Sequence, residues 1–167
     1  YLPGPKYNLS QTRRYAGIMD ALSEANVPAS NIREIDYHTV FGSSAESTSS
    51  YKPYEELFFP VNYTAVIGFN DLQSYSAMEI LQKKGYRIPE DISLISFDHL
   101  RKTHTYLPPL TSIADNSEKS IADTAVSILL DKIRNPSSEI SSEVLPVSIF
   151  DDHTTGPINE TFAHSFE

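Results

Sequence analysis

Three runs of this chain that read as strands each deliver a polar or aromatic residue at their carboxyl end. Run 33–37 ends in Tyr37, run 65–69 is followed by Asn70, and run 92–97 is followed by Asp98. In an open parallel sheet, ligands bind beyond the carboxyl ends of the strands. An aromatic, an amide and a carboxylate would therefore reach one edge together. An amide both donates and accepts hydrogen bonds, while an ionised carboxylate only accepts. This is recognition chemistry. Each residue also has an ordinary structural use: Asn70 can cap the helix that follows, Tyr37 can be a half-buried aromatic, and Asp98 can cap a turn.

Enzyme signatures are missing. The chain has no glycine-rich phosphate loop, and Gly42-Ser43-Ser44 lacks the G-x-S-x-G pattern of a strained nucleophile turn. His99 and His104 are too far apart for a metal pair on one helix face, and they fall in a loop. His38 could act as a base, but nothing supplies a nucleophile. The absence of cysteine excludes a disulfide framework, a thiolate zinc site and a cysteine nucleophile. The expectation is a binding protein, not an enzyme, with no metal and no cofactor.

The elements that must position the three strand ends alternate in type. Residues 2–5 read as the end of a strand. Ser10 could cap a helix whose apolar residues Tyr15, Ile18, Met19, Leu22 and Ala25 recur at helical spacing, with Asn26 and Pro28 breaking it. A short strand, 33–37, leads into a serine-rich loop, 42–50, and Pro53 opens a short helix reaching Phe59. Run 65–69 is nearly continuous in apolar residues, as expected of a strand buried on both faces. Asn70 or Asp71 caps a helix to Lys84, and Gly85 stops it. Strands follow at 92–97 and 110–113. Asp115 and Glu118 have capping-box spacing for a helix to about Ile133, with Ile121, Ala125, Ile128, Leu129 and Ile133 as its apolar stripe. A last strand at 144–149 precedes an irregular tail. Strand and helix in alternation predict an open, mostly parallel α/β sheet flanked by helices.

Composition sets the outer bounds. At 167 residues and 40% hydrophobic content, the chain can bury a real core. No apolar run approaches the ~20 residues needed to span a bilayer, and no signal peptide opens the chain, which begins at Tyr1. No membrane association is expected. The lack of cysteine suits the cytoplasm, which is the expected location. A net charge of −9 argues that this segment does not itself hold DNA, because phosphate binding needs clustered Lys and Arg.

Within this frame the chain resembles the LacI/GalR family of bacterial transcription regulators, in the later part of the sugar-sensing domain. The resemblance rests on five motifs in order. Gly4-Pro5 with Arg14-Tyr15-Ala16-Gly17 comes first, then Phe69-Asn70-Asp71. The third runs from Gly85-Tyr86-Arg87-Ile88-Pro89-Glu90-Asp91 to Phe97-Asp98. Pro108-Pro109-Leu110-Thr111-Ser112-Ile113 follows, and Leu145-Pro146-Val147 with Thr154-Thr155 closes the set. It implies a two-lobed sensing domain of the periplasmic-binding-protein-like (type I) fold. Residues 1–113 would form most of the second lobe, 114–147 would cross back to the first lobe, and 148–167 would supply the closing strand and tail. The DNA-binding head and most of the first lobe are absent from these residues.

By the same resemblance the partners are a small sugar or polyol effector, operator DNA through the missing head, and a second copy in a homodimer. Arg14 would hydrogen-bond sugar hydroxyls through its planar fork. Tyr37 would lie against the apolar face of a pyranose, Asn70 would donate to and accept from one hydroxyl, and Asp98 would accept from two. Ser10 is a weaker fifth, and Arg14 could instead pair with a surface acid. The helix after Asn70 turns Ala77, Ile80 and Leu81 toward the sheet and leaves Leu72, Tyr75 and Met78 elsewhere. With Tyr106, these form the implied dimer interface. The chain departs from the family at Asp115, Asn116 and Ser117, where an aromatic or glutamine is frequent, and at Asp151-Asp152-His153, where a basic residue is usual. A transport-associated sugar receptor of the same fold is the alternative expectation.

Overall fold

In the computed structural model, residues 1–5, 7–35, 54–117, 120–139 and 142–163 are described. The described elements are α1 (Leu9–Glu24), a 3-10 turn (Ala29–Asn31), a second (Tyr54–Phe58), β1 (Ala65–Ile67), α2 (Asp71–Lys83), β2 (Ser93–Phe97), a third 3-10 turn (Leu100–Lys102), β3 (Ser112–Asp115), α3 (Ile121–Arg134), β4 (Val147–Phe150) and α4 (Glu160–Ala163). Among the described residues one sheet of order β1-β2-β3-β4 forms. β1, β2 and β3 run parallel, and β4 returns antiparallel to β3 with Asp115 opposite Val147. Leu2 extends the other edge, pairing in parallel with Gly68. Parallel strands put Asn70, Asp98 and Asp115 at the same end of the sheet. This ordering makes a site possible.

The core lies between the sheet and α2. Leu94 and Val66 from the strands meet Ala77, Ile80 and Leu81 from the helix, and Leu81 and Leu94 have no exposed surface. Close approach at the start of α2 requires a glycine just after β1. A Cβ on Gly68 would stand 1.8 Å from the Ser74 Oγ, which instead bonds the Ser96 Oγ at 2.8 Å. Gly85 ends the helix with φ +92°, a conformation a glycine adopts without strain. Among the described residues no helix is long and apolar enough to cross a membrane.

Several sequence expectations shift. The cap of α1 is Asn8, whose side chain accepts from the Ser10 and Gln11 N–H groups; Ser10 lies in the first turn, exposed. Asn and Ser are comparable caps, and the Asn8 N–H is already turned onto the Pro5 carbonyl. Residues 33–35 form no regular strand, but they pair with the start of the chain: the Tyr1 amino group donates to the Arg33 carbonyl at 2.6 Å and the Ile35 N–H donates to the Tyr1 carbonyl at 3.1 Å. The Arg33 guanidinium is spent on the carbonyls of Leu57 and Pro60 at 2.8 and 2.9 Å. The rest of the expected strand and the serine-rich loop lie outside the described residues.

β3 starts at Ser112, two residues later than 110–113 suggested, and β4 spans Val147–Phe150, not 144–149. The capping box of α3 is Ser120 with Asp123, and Asp115 remains in the strand. Met78, expected to point away from the core, is 5% exposed and packed within it. The segment before β3 lies against α2, with the Tyr75 Oη donating to the Pro108 carbonyl at 3.1 Å, so the helix is covered over a wider arc. Leu72 and Tyr106 stay exposed. The tail is ordered by Thr154, whose Oγ donates to the Leu94 carbonyl at 2.6 Å and accepts from the Thr111 N–H at 2.9 Å.

Candidate functional site

The carboxyl ends of β1 and β2 are joined by one side chain from α1. Arg14 donates through Nη1 to the Phe69 carbonyl at 2.5 Å and through Nη2 to the Asp98 Oδ1 at 2.8 Å. Its guanidinium lies 4.8 Å from the centre of the Phe69 ring and 4.6 Å from that of Phe97. A planar cation is attracted to aromatic faces, so the two rings and the carbonyl hold the fork in place. Asp98 remains exposed, with its second oxygen free of any partner among the described residues. Five guanidinium N–H groups exist and two are used, so pair and solvent meet with both donors and acceptors unspent.

Asp98 sits in the left-handed region at φ +98°, and His99 follows at φ +48°. Two such residues in a row, neither of them glycine, need support. It comes from a buried side chain that the sequence reading left as a possible helix cap. Asp71, 1% exposed, accepts from the Leu100 N–H at 2.6 Å and from the Ser112 hydroxyl at 2.8 Å. The Ser112 Oγ in turn accepts from the His99 N–H at 3.0 Å. The His99 ring lies on Phe150 of β4 with centroids 4.1 Å apart and planes 10° from parallel.

An open cleft of about 830 Å³ lies in front of Arg14 and Asp98. Its sheet side carries Phe97 and Asp115, its far side Ile121, Thr124 and Ile128 of α3, and its rim Arg13 and Lys102. Hydrogen bonds from the Ser117 hydroxyl, then from its N–H, hold the Asp115 carboxyl below the usual carboxylate range, with Lys102 nearby adding to the effect. Asp115 therefore stays ionised in the cleft near neutral pH.

Of the five residues singled out from the sequence, Arg14 and Asp98 come together. Asn70 stands beside Phe69, but its Oδ1 caps α2 by accepting from the Gln73 N–H at 3.0 Å. That is the structural use open to it from the start. Ser10 is not among the cleft residues, and Tyr37 lies outside the described residues. Sequence reasoning missed Phe97, Asp71 and Asp115 as parts of the site. Placing the third strand two residues early hid Asp115, which the correct register puts at the same edge as Asp98.

The model of the periplasmic binding protein-like domain matches residues 2–155. The chain belongs to this family. Among curated relatives, the HTH-type transcriptional repressor PurR of Escherichia coli O139:H28 is 34% identical over 149 residues, covering 87% of this chain and 41% of that protein. The PurR repressor of Mannheimia succiniciproducens is 31% identical over 134 residues, covering 80% and 38%. The chain thus spans about two fifths of the length of these relatives. Among solved structures, a LacI family transcriptional regulator from Enterococcus faecium with bound ribose superposes with a TM-score of 0.75 at 25% identity, over 95% of this chain and 57% of that one. A dimeric Lac repressor gives 0.70 at 26% identity, over 95% and 55%. The chain is a LacI/GalR-type effector-binding domain of the periplasmic-binding-protein-like fold, and the PurR and Lac proteins it resembles are transcriptional repressors, which are not enzymes.

Proposed function

We propose that this domain senses a small sugar or polyol on behalf of a transcription regulator. The observation that carries the reading is the Arg14–Asp98 pair, held between two aromatic rings at the strand ends with unspent donors and acceptors facing the cleft. Adjacent hydroxyls of a polyol are matched by this combination: the guanidinium donates, the free carboxylate oxygen accepts, and each charge-assisted bond contributes roughly 1.5–3 kcal/mol. Asn70 offers its amide NH2 once its oxygen has capped α2, and Tyr37 and Ser10 are the remaining candidate contacts. The Enterococcus faecium neighbour carries ribose, which supports a ligand of this size and class.

In this reading 1–113 belongs to the second lobe, 114–147 crosses to the first, and 148–167 returns. Sugar closing the cleft between lobes shifts the first lobe within a homodimer, whose contacts include Leu72, Tyr75 and Tyr106, and so alters operator binding by a head outside these residues. Such coupling is typically about 1–3 kcal/mol and acts in both directions. The test is a panel of D-ribose, D-xylose, D-glucose and cellobiose titrated into the intact regulator, wild type and Asp98→Ala. At least one sugar is expected to bind the wild type and shift operator affinity, and Asp98→Ala is expected to lose that response while still binding operator without sugar. A retained response would remove Asp98 from the site.

A further inference from the structure

We propose that Asp71, which touches no ligand position itself, sets the affinity of the site by holding Asp98 in the geometry that meets Arg14; this rests on the polyol reading above. A buried carboxylate with no cation on it is costly to keep; no cation meets Asp71 among the described residues, so its hydrogen bonds matter. Asp71 has one donor on each oxygen, and both lead to the loop that carries Asp98. Oδ2 takes the Leu100 N–H, two residues past Asp98. Oδ1 takes the Ser112 hydroxyl, whose own oxygen takes the His99 N–H, one residue past it. The Asp98 N–H is fixed separately to the Ile113 carbonyl at 3.0 Å. Three consecutive amides are thereby pinned, two of them through one carboxylate.

The pinning matters because of the backbone it enforces. Asp98 and His99 both hold positive φ without being glycine, and a free loop would relax toward the ordinary regions. Relaxation swings the Asp98 carboxylate away from the Arg14 Nη2, now 2.8 Å off. Arg14 cannot follow, because the Phe69 carbonyl and two rings already fix it. Asp71 is a positioning residue, and Ser112 is its relay. A small displacement at hydrogen-bonding distance is enough to lose the single bond between them.

The experiment uses the intact regulator and whichever sugar of the four-member panel the wild type binds most tightly. Asp71→Asn keeps the shape but turns one acceptor into a donor, facing either the Leu100 N–H or the Ser112 hydroxyl. It is expected to weaken sugar binding about tenfold while sugar-free operator affinity stays within twofold of wild type. A purely structural role predicts the opposite pattern, with lower thermal stability and an unchanged affinity of the folded fraction. The decisive arm is a double-mutant cycle with Asp98→Asn: once Asp98 is altered, Asp71→Asn should change affinity less than twofold. Independent, multiplicative effects would overturn the proposal. Should Asp71→Asn fail to fold, Ser112→Ala takes its place, with an expected weakening of about threefold and the same cycle. A wild type that binds none of the sugars sinks the polyol reading and this inference together; a wild type that binds, with both variants unchanged, sinks this inference alone.

Discussion

Two capped helices, α2 and α3, each carry an apolar stripe and meet opposite fates. Ala77, Met78, Ile80 and Leu81 of α2 are between 0% and 7% exposed, whereas Ile121, Leu129 and Ile133 of α3 are 64%, 58% and 64% exposed. Both helices are capped well, by Asn70 and by the Ser120–Asp123 box. Local sequence therefore accounts for the existence of each helix, and tertiary structure separates them. An apolar stripe states that a helix has a face to bury, without naming what will bury it. For α2 the answer is the sheet. For α3, in our reading, it is the first lobe.

That contrast can be broken most sharply by truncating one leucine in each helix. Leu81→Ala in this chain is expected to cost about 2–5 kcal/mol in chemical denaturation, the range for a fully buried leucine. Leu129→Ala should stay within about 0.5 kcal/mol, as an exposed substitution does. Equal losses would mean that α3 is packed in solution, and the contrast would collapse. A smaller effect tests the polar seam on the packed side. Thr154→Val leaves the buried Thr111 N–H without an acceptor and is expected to cost about 1–3 kcal/mol by the same measurement; a neutral outcome would show the tail to be detachable.

The smallest expected effect is acid sensitivity. The Arg87 side chain, bonding Asp91 through Nε at 2.9 Å and Nη2 at 2.6 Å, holds the Asp91 carboxyl below its ordinary value, and Ser117 does the same for Asp115. A depressed carboxylate adds stability above its ordinary value near 3.8, and that stability is lost as pH falls through the lower, folded value. Amide exchange corrected for intrinsic rates should show the Ser117 N–H losing protection in this window before the Ile92 N–H, because β2 and the core cover the latter. The reverse order would contradict the difference in packing between the two regions.

Much of the packed region was legible in the sequence. α2 announced itself by a cap, an apolar stripe and Gly85, and β2 by Ile92, Leu94, Ile95 and Phe97, interrupted only by two serines. The errors fall where non-local partners decide. Leu110 and Thr111 look like strand residues, but the Thr111 N–H bonds the Thr154 hydroxyl and the Thr111 hydroxyl bonds the Asp151 carboxylate. Side chains some forty positions downstream occupy the places of a ladder, and no local pattern reveals them. The site divides the same way. Arg14 and Asp98 were reachable through motifs at strand and helix ends, although they lie far apart in sequence. Phe97 as a bed for the guanidinium, and Asp71 as the anchor of the Asp98 loop, depend on a backbone with two successive positive φ angles that the residues Asp98 and His99 do not advertise.

The antiparallel pairing of β3 and β4 has a further consequence. Asp115 and Val147 are register partners, and the Asn116 N–H still reaches the Pro146 carbonyl at 3.3 Å. The chain therefore leaves and re-enters the sheet through one doorway. In topological terms everything between these points, α3 included, is an excursion hung on a hairpin, and a tight turn of the Asn-Gly kind could close that hairpin in its place. The two connections of α3 therefore start from adjacent strands, β3 and β4. One of them ends in Phe150, against which the neighbour of Asp98 is stacked.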